Sequence, residues 1–166
     1  MLKNSGDPPD IEKKTDQQTK LMLYGSVMSF DDSKVIDLVD KAGARLVADA
    51  LCTGSRFWRK DVALDGLLID GLVERYLHNI PCSNMTDIVM RLNYMIAKVR
   101  ESKAEGLIYY NLKFCDTMRS ETRIFSEALE KELKIPILLI ETEYSQADIG
   151  TTRTKVEAFL GMLRDG

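Results

Sequence analysis

At 166 residues, 45% hydrophobic and 30% charged, with a formal net charge of −3, the chain has the size and composition of one soluble globular domain around a single core. The charge balance gives no electrostatic basis for binding nucleic acid or an anionic membrane. No apolar run approaches the ~20 residues needed to span a bilayer, and the start MLKNSGDPPD has no signal-type apolar segment, so a cytoplasmic location is expected.

Taken in chain order, residues 1–19 hold Pro8, Pro9 and a polar, charged remainder. Such a segment cannot bury enough apolar surface to offset its ordering entropy, and it reads as a tail or linker ahead of one α/β domain over residues 20–166. LMLYGSVM, residues 21–28, is an apolar strand, and Ser29 with Asp32 three positions later has the spacing of a helix opening. Val35, Ile36, Leu38, Val39 and Ala42 make the stripe of that first helix, and Gly43 supplies its stop. ARLVADA follows as a second strand. LDGLLIDGLVERYL, residues 64–77, is apolar enough for a buried helix, although Gly66 and Gly71 weaken it. HNIPCSN is a break, and residues 86–102 repeat Ile88, Val89, Leu92, Met95, Ile96 and Val99 along one helical side.

GLIYYNL is the third strand. Another amphipathic helix is marked by Ile124, Phe125, Ala128, Leu129 and Leu133; IPILLIETEY is a fourth strand with its proline near the start, and TTRTKVEAFLGML closes the chain as a helix. Strands alternating with helices, each strand apolar on both faces, predict a parallel sheet covered on both sides. The expected fold is a three-layer α/β/α domain, flavodoxin-like or Rossmann-like, with a four-stranded parallel sheet.

In such a sheet the loops leaving the carboxyl ends of the strands share one edge, and ligands bind there. YGSVMSF, LCTGSRFWR, LKFCDTMR and ETEYSQADIGTTR would all meet on that rim, bringing Cys52, Cys115, Arg56, Arg119, Glu141, Glu143, Tyr144 and Arg153 together. Three cysteines form an odd set, so disulfides are not expected and the thiols serve packing, catalysis or metal. Thiolates are ligands for iron and iron-sulfur clusters, and Cys115, at a strand end ahead of a helix, is the better placed; a small buried apolar role is the plainer alternative. One histidine, His78, leaves little material for a hydrolytic triad, and its pairing with Cys82 as a zinc site lacks a CxxC partner. Glu141 and Glu143 would share one side of a continuing strand, with Tyr144 on the other; a glutamate there could transfer protons or be a solvated strand end. DIGTTR offers free N–H groups at a helix start, suited to a phosphate or to ordinary capping.

LCTGSRFW, the break around IPC, GLIYYNLKFCD, IPILLIETEYS and IGTTRTKVEAFL, in that order, resemble the carboxyl-terminal half of the 2-hydroxyacyl-CoA dehydratase subunits, relatives of benzoyl-CoA reductase subunits, from about residue 20 onward. The resemblance implies a subunit of two flavodoxin-like halves that together bind a [4Fe-4S] cluster. An ATP-hydrolysing iron-sulfur activator supplies one electron, the thioester becomes a ketyl radical, and water leaves an acyl-CoA substrate. By the same carry-over Cys115 and then Cys52 are the metal ligands expected. Glu143 and Tyr144 are the catalytic candidates, and Thr151 and Arg153 the contacts for coenzyme A. The family's amino-terminal half has no counterpart here, so a second subunit or that missing half is expected as partner, and the cluster need not form on this chain alone. The competing expectation is a noncatalytic α/β interaction domain that kept the fold and lost the site.

Overall fold

The structure, a computed structural model, describes residues 18–165; the expected polar tail lies almost wholly outside them. Four strands, β1 (Lys20–Gly25), β2 (Arg45–Leu51), β3 (Gly106–Leu112) and β4 (Ile137–Thr142), pair in parallel in the order β2-β1-β3-β4. The order reverses between β1 and β3, which makes their carboxyl ends the switch point of the sheet. Each strand is apolar on both faces because each face carries its own layer of helices.

On one side Leu21 and Leu23 of β1 and Ile108 and Tyr110 of β3 pack with Val35 and Val39 of α1 (Lys34–Lys41) and with Val156, Phe159 and Leu160 of α6 (Ile149–Asp165). On the other, Met22, Tyr24, Leu107 and Tyr109 meet Met95 and Val99 of α4 (Ile88–Ser102) and Met118, Phe125 and Leu129 of α5 (Asp116–Leu133). The period of two along each strand thus feeds two cores, and the three-layer α/β/α arrangement expected from the sequence is what forms. Tyr24 stacks on Phe125 at 5.1 Å and meets Tyr109 edge-on at 4.9 Å, an aromatic cluster under α5.

Three local expectations are corrected. The helix after β1 begins at Lys34 with Ser33 as its cap residue; Asp32 leaves the helix and is buried, accepting a hydrogen bond from Tyr110 Oη at 2.9 Å. A tertiary partner for the carboxylate outcompetes a local cap. β4 ends at Thr142, so Glu143 lies past the strand and does not share a pleat with Glu141. The 64–77 segment does form a helix, α3 (Leu68–Val73), prolonged by a π turn (Glu74–His78), yet α3 buries none of its residues. Gly71 explains why: its backbone lies so close to the 62–63 chain that a Cβ would sit 2.4 Å from the Ala63 carbonyl oxygen. The helix packs on its own preceding loop instead of on the sheet.

Candidate functional site

The carboxyl ends of β1 and β3 are locked together by short polar residues. Ser26 donates its N–H to the Tyr110 carbonyl at 2.9 Å, while its hydroxyl donates to Asn111 Oδ1 at 3.3 Å and accepts from the Leu112 N–H at 3.2 Å. Gly25 makes this approach possible. At φ +148° its missing Cβ would lie 1.7 Å from the Tyr110 carbonyl oxygen.

The loops leaving this edge bond to one another. Met28 and Thr53 exchange hydrogen bonds at 3.4 and 3.2 Å, and Tyr144 Oη donates to the Val27 carbonyl at 3.1 Å. Lys113 reaches the loop after β4 through its N–H to Thr142 O at 2.8 Å and its ammonium to Glu143 at 3.2 Å. The loop after β2, which leads into the short helix α2 (Ser55–Trp58), owes its shape to Asp49, whose Oδ1 accepts from the N–H groups of Leu51 and Ser55.

Cys52, Cys82 and Cys115 are all free and half-buried. Burial raises the Cys52 thiol pKa above its ordinary value, Arg56 pulls it back down, and the charges of Cys82 and Cys115 add to the rise. Tyr144 feels the same neighbours, its hydroxyl raised by burial and then by Asp32, Cys115 and Cys52. Cys115 is the cap residue of α5, with the helix amino terminus behind it. The turn delivering it is strained, because Phe114, 85% exposed, takes a left-handed φ of 67°. Phe114, Phe30 and Trp58 stand exposed around this rim.

The two arginines placed four residues after cysteines part ways. Arg56, 1% exposed, turns back onto the Cys52 sulfur and donates to the carbonyls of Pro81 and Gly25 at 3.3 and 3.5 Å. It joins the loops of Cys52, Cys82 and β1 with one buried guanidinium. Arg119 bonds to Cys115 only through its backbone N–H, and its side chain lies 4.0 Å from Glu141.

The 143–148 loop hangs on Lys34, which sequence reasoning missed. Its buried ammonium donates to the Glu143 carbonyl, to the Ser145 carbonyl at 2.7 Å and to Asp148 Oδ1 at 3.0 Å; Thr142 Oγ1 donates to Asp148 Oδ2 at 2.6 Å. A signal was present: a lysine at the first position of a helix runs against the helix dipole and needs another reason to be there. Thr151 and Arg153 are exposed in the first turn of α6, flanking buried Thr152. His78 pairs with Glu74 at 3.0 Å, away from any ligand set.

Among the described residues no three His, Cys, Asp or Glu side chains gather closely enough to hold a metal ion. The Cys52 sulfur, moreover, is engaged by Arg56. The thiols present therefore do not fit a complete cluster site within this chain, while Cys115, free of side-chain partners in its cap position, is open to serve as one donor of a set completed elsewhere. Two grooves of about 520 and 540 Å³ run along the outer strands β4 and β2, and neither is lined by a cysteine.

A family model described as 2-hydroxyglutaryl-CoA dehydratase, D-component, matches residues 2–163. The chain belongs to that family. The match starts before residue 20, the position from which the sequence resemblance was traced. Among curated relatives, the Escherichia coli (strain K12) protein YjiM, named as a dehydratase subunit, is 28% identical over 151 residues, 91% of this chain and 39% of its own length. The (R)-phenyllactyl-CoA dehydratase beta subunit of Clostridium sporogenes is 27% identical over 150 residues, 90% of this chain and 39% of its own length. The chain thus spans about two fifths of the length of these curated relatives. No helix among the described residues is long and apolar enough to cross a membrane.

Proposed function

We propose that the chain is the cysteine-bearing α/β part of a 2-hydroxyacyl-CoA dehydratase subunit, and that Cys115 is its contribution to an iron-sulfur cluster whose remaining ligands come from protein outside this chain. The observation carrying the reading is the position of Cys115: on a strained turn at the carboxyl end of β3, at the amino terminus of α5, beside the switch point of the sheet. The cluster, when bound, supplies one-electron chemistry to an acyl-CoA thioester after reduction by an ATP-dependent activator.

The residues of this chain have simpler tasks. Arg56 holds the loops of Cys52 and Cys82 in place and leaves Cys52 a structural thiol beside the site, in contrast to the ligand role the resemblance assigns it. Tyr144 keeps its proton because burial and nearby Asp32 disfavour phenolate; that proton is held by the Val27 carbonyl, and only on turning from it would the hydroxyl donate to a substrate oxygen. Glu143, tethered to Lys113, is the adjacent carboxylate. Exposed Thr151 and Arg153 at the α6 start are offered to the phosphates of coenzyme A.

Anaerobic reconstitution with iron and sulfide tests this, using the chain together with the portion of a dehydratase subunit that it does not span. An oxygen-sensitive absorbance band and EPR signal that disappear in Cys115→Ser and survive in Cys52→Ser are expected. Absence of any chromophore in the assembled pair, with both polypeptides folded, would instead establish the noncatalytic interaction domain. The engaged Cys52 sulfur and the incomplete ligand set are what favour that second reading.

A further inference from the structure

Residues 61–78 form an arm whose apolar side chains point away from both cores. Leu64, Leu67, Leu68, Ile69 and Leu77 are between 53% and 78% exposed, all within fourteen residues of sequence. This is no helix waiting to fold down onto the sheet, because its orientation is fixed at both ends. Gly71 is pressed against the Ala63 carbonyl, and buried Arg75 donates to the Phe57 carbonyl at 2.6 Å while its guanidinium lies over the Phe57 and Tyr76 rings. Those anchors are what turn the leucines outward.

The charges around the ridge select its occupant. Asp61, Asp65, Asp70 and Glu74 are exposed along the arm, opposed by Arg59 and Lys60 just ahead of it. Two copies of the arm laid together would bring acid against acid, and an anionic lipid surface would repel it. A protein groove with an apolar floor and a basic rim fits it, the geometry of a helix seated in a groove. The chain covers 39% of the length of the dehydratase relatives it matches, so most of such a subunit lies outside it.

We propose that residues 61–78 are the docking arm through which this chain joins the remaining part of a dehydratase subunit, the ridge seated in an apolar, basic-rimmed groove of that part. The inference rests on the dehydratase reading above and deepens it by naming the surface. The arm also reaches the cysteine edge directly: Arg75 grips Phe57, next in sequence to Arg56, which holds Cys52. A docked partner is therefore mechanically continuous with the loops it must complete.

The test titrates the 166-residue chain with the part of YjiM that lies outside the matched stretch, followed by calorimetry and amide hydrogen exchange. Binding is expected to protect the 64–78 amides, to weaken with added salt, and to fall at least tenfold in Leu68→Asp and severalfold in Asp70→Lys. Both variants should keep the circular dichroism and urea midpoint of the unaltered chain, since the altered side chains are exposed. No binding, binding indifferent to Leu68→Asp, or protection confined to another surface overturns the proposal. So does a dimer of this chain alone that Leu68→Asp dissolves, which would make a second copy the occupant. Failure here is separable from failure of the dehydratase reading: a pair that assembles a Cys115-dependent chromophore without using the arm sinks only the docking surface, and an arm that docks with no chromophore sinks only the cluster.

Discussion

Single residues at the sheet edge carry more of this structure than their number suggests. Lys34 is buried with three acceptors from one loop, so Lys34→Met strands Asp148 and two carbonyls together. A loss of about 3 kcal/mol in urea unfolding is expected, on the scale of breaking a buried ion pair from one side. Asp148 gives the same contact a pH signature. Burial pulls its carboxyl up, but the Thr142 hydroxyl and Lys34 together outweigh burial and leave it below the ordinary carboxylate range. A depressed folded value means the stabilisation is complete above the unfolded pKa of about 3.9 and is lost as pH falls through the lower folded one. Urea midpoints measured from about pH 5 downward should therefore drop less steeply in Asp148→Asn than in the unaltered chain. At Phe114 the sign reverses: glycine relieves the left-handed strain of an exposed residue, and Phe114→Gly should raise stability by about 0.5–1 kcal/mol while loosening the aim of Cys115. Of these only Lys34 left a trace in the sequence, as a basic residue at a helix start; which loop it holds, and the left-handed turn at Phe114, were not legible there.

At the scale of elements, the helices facing the sheet were readable, whereas for α3 the helix was readable and its outward face was not. The stripe of α4 and the apolar run of β3 each carry one period and one burial pattern, and the boundaries found, Ile88–Ser102 and Gly106–Leu112, fall close to those the pattern gives. α5 starts at Asp116, well before the apolar repeat begins at Ile124, because its first two turns hold polar residues used by tertiary partners. Asn111 donates to Thr122, and Arg91 of α4 makes a two-pronged contact with Glu121. That buried pair ties α4 to α5 over the Phe125 ring, at 5.6 Å from the guanidinium carbon. Glu121→Ala leaves Arg91 charged and unpaired and should cost about 3–5 kcal/mol; Arg91→Met with Glu121→Leu should recover most of it, as equilibrium unfolding will register. α3 misled because hydrophobicity reports what a segment must bury without saying against what.

For the whole molecule, the division between core and arm makes its own prediction. Leu107→Ala, in the centre of the sheet, should cost about 2–5 kcal/mol, whereas Leu67→Ser on the arm should leave the unfolding free energy within about 0.5 kcal/mol and improve solubility. The alternation of apolar strands and striped helices was enough to determine a parallel three-layer domain, because periodicity and two-faced burial are local consequences of residue order. The same order placed four loops on one rim, since parallel strands leave their carboxyl ends no other place. The tertiary structure alone decided that Arg56 closes on Cys52 while Arg119 leaves Cys115 open, that Lys34 holds the last loop, and that an apolar helix stands outward. Each of those outcomes rests on distances between residues far apart in the chain, and a one-dimensional pattern carries no information about which distant partner arrives first at a shared charge or a shared surface.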